Sequence, residues 1–147
     1  MPRFASFPAR VEKLGRPAAV DIRSDRKART YRTMLRDGAK AGPNFAGHYT
    51  IVSWGCGSSC VQWAVVDGRS GKVHFEPAVE TVDATHVDPD EPLEFHRDSR
   101  LLIVLGAPNE EGAREGVSFY EWSGKSFNLL KFVPRAQTCQ GARNSEN

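Results

Sequence analysis

GHYTIVSWGCGSSCVQWAVVDGRSGKVHFEP, residues 47–77, decides the fold. Its two runs HYTIVSW and VQWAVVD are dense in β-branched and aromatic residues, the side chains that fit a pleated, half-buried surface. The cluster Asp67-Gly68-Arg69-Ser70-Gly71-Lys72 supplies turn residues and KVHFEP returns, so residues 62–76 read as a hairpin. Between the two runs stand Gly55, Cys56, Gly57, Ser58, Ser59 and Cys60, a small loop at a strand end. A histidine, a tryptophan and two of the three cysteines crowd into residues 44–60, which makes this stretch the first place to look for chemistry.

Downstream the pattern stays strand and turn. Residues 77–92 hold three prolines and many acids and read as the longest loop. LEFHRDSRLLIVLG reads as a second hairpin about residues 96–99, APNEEGAREG as a loop, and VSFYEWSGKSFNLLKF as a third hairpin turning at Ser123-Gly124. Upstream, Pro2, Pro8, Gly15 and Pro17 predict an extended lead-in over residues 1–23, with one edge strand at 18–22. Ser24 and Asp25 are good N-cap types, and Ala28, Tyr31, Met34, Leu35 and Ala39 fall at helical spacing within residues 25–40. Arg26, Lys27, Arg29, Arg36 and Lys40 cover the other face, and Gly42-Pro43 stops the helix.

The expected architecture is therefore α+β. One N-terminal amphipathic helix packs on a face of a mostly antiparallel sheet of six or seven strands, all within residues 24–133. A flexible polar tail, residues 134–147, follows. FHRDSRLLIV and YEWSGKSF look like single propeller blades, but a propeller needs at least about four blades of about 40 residues, and 147 residues are too few.

Composition narrows the class. A hydrophobic fraction of 39% with 26% charged residues fits an ordered globular chain. No 18-residue apolar run exists, so no membrane span is expected. The N-terminus MPRFASFPARVEKLGR has no apolar h-region, so the leader of an exported chain would lie ahead of Met1. Net charge is +2 but uneven: residues 1–42 carry eleven basic against four acidic side chains, and residues 76–121 three against twelve. Such polarity can steer a charged partner, although a basic helix lying near acidic loops would cancel much of it. The acidic counterweight speaks against a nucleic-acid partner.

Each chemistry-bearing residue has a plain structural reading beside the functional one. Cys56 and Cys60, C-x3-C between glycines, can close a disulfide, stand as two free thiols, or hold metal. Metal is the poorest fit, because Cys139 and scattered histidines would have to complete the set, and no metal or other cofactor is expected. Cys139 is left over in the tail. A cysteine enzyme would use Cys56 or Cys60 as nucleophile, His48 as base and the N–H of Gly57 or Ser58 as oxyanion donor. CGSSCVQW loosely resembles the cysteine surround of papain-type proteases, yet a strand-like run follows it where a helix dipole should lower the thiol pKa. Gly55-x-Gly57-x-x-Cys60 lacks the third glycine and the helix of a phosphate loop. His86, Asp88, Asp90 and Glu91 could offer oxygens to calcium but lack EF-hand spacing, and a solvated acidic loop explains them better. His74 and His96 sit in hairpins without a metal-like partner, and His48 reads first as a hydrogen-bonded structural histidine. Trp63 and Trp122 read as packing, whereas Trp54, beside Gly55, is expected at the surface as an interface anchor.

GPNFAGHYTIVSWGCGSSCVQWAVVDGRSGKV, with DSRLLIV and YEWSGKSF after it, resembles a group of small, usually exported bacterial proteins with no established activity. The group shares a F-A-G-H-Y…W-G-C-G-x-x-C core, and the resemblance runs over residues 25–130. It implies an envelope or secreted location and a paired Cys56–Cys60, and it marks Gly47, His48, Trp54, Gly55 and Gly57 as motif positions. The expected function is non-catalytic binding of another protein in the periplasm or outside the cell, as an inhibitor, immunity-type partner or adaptor. The expected contact surface is His48, Trp54, Gly55, Gly57, Ser58 and Ser59, flanked by the basic helix or the acidic loop 83–94. A hydrolase or thiol enzyme using Cys56 or Cys60 with His48 is the competing reading, and a chain tethered through Cys139 a third.

Overall fold

The computed structural model describes residues 1–87 and 91–135. Its centre is the hairpin of β1 (Tyr49–Gly57) and β2 (Cys60–Asp67), antiparallel from Tyr49 opposite Asp67 to Gly57 opposite Cys60. Successive side chains on a strand leave by opposite faces. Ile51, Trp63 and Val65 therefore go to one side of this hairpin, and Val52, Ala64 and Val66 to the other.

The other edge of β2 is shared by two short strands, β3 (Val73–His74) at Val65 and Val66, and β4 (Thr81–Asp83) at Cys60–Gln62. Through Val82 opposite Pro108, β4 joins β6 (Leu101–Pro108), which also pairs with β5 (Leu93–Phe95). β7 (Gly116–Trp122) and β8 (Phe127–Pro134) complete an eight-stranded antiparallel sheet ordered β1-β2-β4-β6-β7-β8. The α+β, mostly β architecture and the three expected hairpins are all present. The eighth strand is β4, inside the expected loop 77–92, where Thr-Val-Asp is too short to show a period.

The two halves of the sheet close on one core. Trp63, Val65 and Ile51 from the first half meet Leu102, Val104, Tyr120, Trp122 and Phe127 from the second, with Phe45 and Val79 between. Trp63 is 1% exposed, and its indole N–H donates to the Val79 carbonyl at 2.7 Å, so this fully buried indole leaves no polar atom unpaired.

The outer face of the first half is covered by helix. The expected single helix is two, α1 (Arg26–Thr30) and α2 (Arg32–Ala39), with Asp25 capping the first by accepting from the Lys27 N–H at 2.8 Å. Between them Tyr31 leaves helical geometry (φ −104°, ψ 24°) and packs its ring on Trp54 and Phe75. Ala28 and Leu35 meet Val52, Ala64, Val66, Val73 and Phe75 in a second apolar layer. Over the second half, Phe4 and Phe7 of the lead-in cover Leu101, Phe119 and Val133. Ser99 holds this cover by donating its hydroxyl to the Phe4 carbonyl at 2.8 Å. Residues 18–22 form no strand; Ala18 and Asp21 each donate one N–H, to Gly68 and Gly71, and so strap the 67–72 turn without a ladder.

Gly38 shows how closely α2 lies on β1. A Cβ built there would stand 2.3 Å from Val52 Cγ1, and Val52 is a stiff, buried, β-branched side chain. Gly38→Ala should therefore lower stability by about 1–3 kcal/mol, although alanine is the better helix former by about 1 kcal/mol. Urea unfolding checks this, and an unchanged or higher midpoint would show that the helix can ride up on the sheet.

Candidate functional site

Cys56 and Cys60 are joined by a disulfide across the tip of the β1–β2 hairpin, with their Cα atoms 5.0 Å apart. The tip needs unusual backbone. Gly57 has φ 134° and Ser59 φ 57°, and the register slips between Gly55 and Gly57, so Cys56 sits in a bulge. A bridged sulfur is neither a nucleophile nor a metal ligand, which removes the free-thiol and metal readings of this pair. Cys139 and the tail beyond Arg135 lie outside the described residues, as do Asp88 and Asp90.

The hairpin separates the expected site residues. His48 precedes Tyr49 at one end, and Cys56 lies eight residues along an extended strand, about 26 Å away. His48 instead stands between two carboxylates, with Nδ1 3.6 Å from Glu12 and Nε2 3.5 Å from Asp67. Arg69 is paired with the same Glu12. This is an anchor for the lead-in, and it offers no base to the cysteines. Trp54 also departs from expectation. It is half-buried, its ring 5.1 Å from Tyr31 and 6.3 Å from Phe75, so it belongs to the layer under the helices. The remaining histidines have local partners: His74 with Glu76 at 2.7 Å, His86 with Glu115 at 3.7 Å, and His96 stacked on Phe4 at 3.8 Å. Among the described residues no group of His, Cys, Asp or Glu could hold a metal ion.

What the tip does present is backbone. Ser53, Gly55, Cys56, Gly57 and Ser58 are exposed. β1 is the last strand of its half of the sheet, so one of its edges has no strand partner. At Ile51 that edge is closed by Asn44, whose carboxamide accepts from the Ile51 N–H and donates to its carbonyl. Because alternate residues of a strand point their N–H and C=O the same way, Ser53 and Gly55 face this same edge beyond the Asn44 clamp. Two depressions of about 450 and 320 Å³ meet there at Ser53 and Pro92, one running toward Glu91, Glu94 and His96, the other toward Gly57 and Ser59.

A second hollow, about 390 Å³, lies at the other end of the hairpin, lined by Tyr49, Val65, Asp67, Lys72, His74, Trp122 and Lys125 among others. Its walls come from the contiguous strands β1 to β3 and from the distant β7–β8 hairpin, which no local pattern brings together. Burial pushes the Tyr49 hydroxyl above the ordinary phenol range, and the Asp67 carboxylate adds to that. The Trp122 indole pulls weakly the other way, from a position short of a normal hydrogen bond.

Two expectations follow from this geometry. Trp54→Ala should cost about 2–3 kcal/mol, toward the low end for an aromatic truncation because the ring is only partly buried; urea unfolding that shows no loss would return Trp54 to the surface. Since the folded-state pKa of Tyr49 is raised, its contribution to stability is complete below 10.0, the unfolded value, and is lost as pH climbs through the folded value. Asp67→Asn should move that folded pKa back down, read as the ultraviolet titration difference between each protein and its Tyr49→Phe counterpart. Comparison with protein-family models, with curated proteins and with solved structures finds no significant match to this chain.

Proposed function

We propose that this chain is a non-catalytic binding module of the bacterial envelope, periplasmic or secreted, that captures another protein through the disulfide-clamped end of β1. The observation that carries the reading is an exposed strand edge, Ser53 to Gly57, locked by the Cys56–Cys60 bridge and lying in a groove. Free strand edges are normally blunted, since they template pairing with other chains. Here Asn44 blunts the edge at Ile51 and leaves the next two outward-facing residues open. An extended segment of the partner would pair with Ser53 and Gly55 as an added strand. Glu91 and Glu94 line the groove and make no ion pair among the described residues, so the complementary segment is basic. An inhibitor, immunity-type or adaptor role is served by such a rigid edge, because a preorganised strand loses little freedom on binding. The disulfide supports an oxidising compartment, and the resemblance to exported proteins supports the envelope.

The cysteine-enzyme reading has no comparable support. Its thiols are oxidised, and its base is about 26 Å away.

Ser53→Pro removes an edge N–H without touching the β1–β2 ladder. The wild type should capture one defined protein from an envelope extract, and Ser53→Pro and Glu91→Lys/Glu94→Lys should lose it while keeping their melting temperatures. Cys56→Ser/Cys60→Ser should lose about 2 kcal/mol of stability and weaken capture. If Ser53→Pro captures the same protein as well as the wild type does, the edge is not the contact.

A further inference from the structure

The hollow between Tyr49 and Trp122 lies at the opposite end of the hairpin from the Ser53 edge, and its chemistry differs. Its floor is apolar at Val65, and its walls are rings. Trp122 meets Tyr49 edge-on at 5.3 Å and His74 at 5.3 Å. Two ammonium groups stand on its rims, Lys72 from the turn between β2 and β3 and Lys125 from the turn between β7 and β8. Neither makes an ion pair among the described residues.

Asp67 also lines the hollow, and both it and Glu76 have partners of their own. Asp67 accepts from the Arg69 backbone N–H at 2.8 Å and lies 3.5 Å from His48, while Glu76 holds His74 at 2.7 Å. The Trp122 indole N–H, in a residue 3% exposed, is turned to the Tyr49 hydroxyl without closing a normal hydrogen bond. A ring-walled cavity with two ammonium groups on its rim that make no ion pair is a receptor for an anion carried on a flat ring.

We propose that this pocket binds a small aromatic carboxylate, its ring laid against the Tyr49, Trp122 and His74 rings and its carboxylate toward Lys72 and Lys125. A volume of about 390 Å³ sits at the low end for small-molecule sites, which limits the ligand to one or two rings. Both lysines project from short turns that the fold fixes elsewhere: a Cβ on Gly71 would stand 1.9 Å from the Ala19 carbonyl oxygen, so the lead-in clamps the turn that carries Lys72.

The test uses benzoate and indole-3-acetate as probes, with benzamide and indole as their neutral counterparts, followed by amide chemical-shift titration of the whole chain. The acids should bind at least about tenfold tighter than the neutral analogues, as expected for hydrogen bonds to a charged group. The shifts should centre on residues 65–74 and 122–125 and spare 53–59. Lys72→Ala/Lys125→Ala should weaken benzoate and indole-3-acetate by about tenfold or more, whereas Lys131→Ala, on the exposed part of β8, should not. Equal binding of acids and neutral analogues would overturn the proposal, as would acid binding unaffected by the double variant, shifts centred elsewhere, or no binding of any probe. Capture through the Ser53 edge is read separately, so either site can fail alone.

Discussion

The β1–β2 hairpin carries large apolar side chains on both faces, and burying both requires two covers made from distant parts of the chain. One cover is the second half of the sheet, which brings Leu102, Val104, Tyr120 and Trp122 onto Ile51, Trp63 and Val65. The other is the pair of short helices, laid on Val52, Ala64 and Val66. At about 25 cal/mol per Å² of apolar surface removed from water, neither face could be left open. The short strand β4 reconciles the two demands, since it pairs with β2 on one side and β6 on the other and so joins the halves around one core.

Much of this could be read from residue order, because local signals and tertiary demands agree. HYTIVSW and VQWAVVD are strand-like in composition and are strands; turn clusters at 67–72 and 123–124 are turns. What could not be read has physical causes. β4 is three residues long and gains its strand character only from neighbours on both edges. The helix breaks at Tyr31, whose ring is packed in a tertiary cluster with Trp54 and Phe75 that no local pattern encodes. Residues 18–22 have strand-forming neighbours but spend their N–H groups on a turn.

The candidate site was half legible for the same reason. Cys56, Gly57 and Cys60 declare a constrained tip through their residue types alone, and the bridge is there. Trp54 and His48 were placed beside that tip by sequence proximity, which a strand converts into separation: one residue flips the side chain to the opposite face, and eight carry it the length of the hairpin. Trp54 is thereby turned under the helices, and His48 is drawn to Glu12 and Asp67. The ring-walled hollow escaped notice because its parts are 76 positions apart, from Tyr49 to Lys125, and only the closed sheet brings them together.

The seal formed by Phe4 and Phe7 sets an order on how the fold can be completed. The surfaces they cover, Leu101, Phe119 and Val133, belong to β6, β7 and β8, so this seal joins segments far apart in sequence. Until β8 is in place, Val133 is missing from the seat of Phe4 and Phe7, and the outer face of the second half is only partly lidded. Contacts that span nearly the whole chain are slow to form and leave apolar surface open meanwhile.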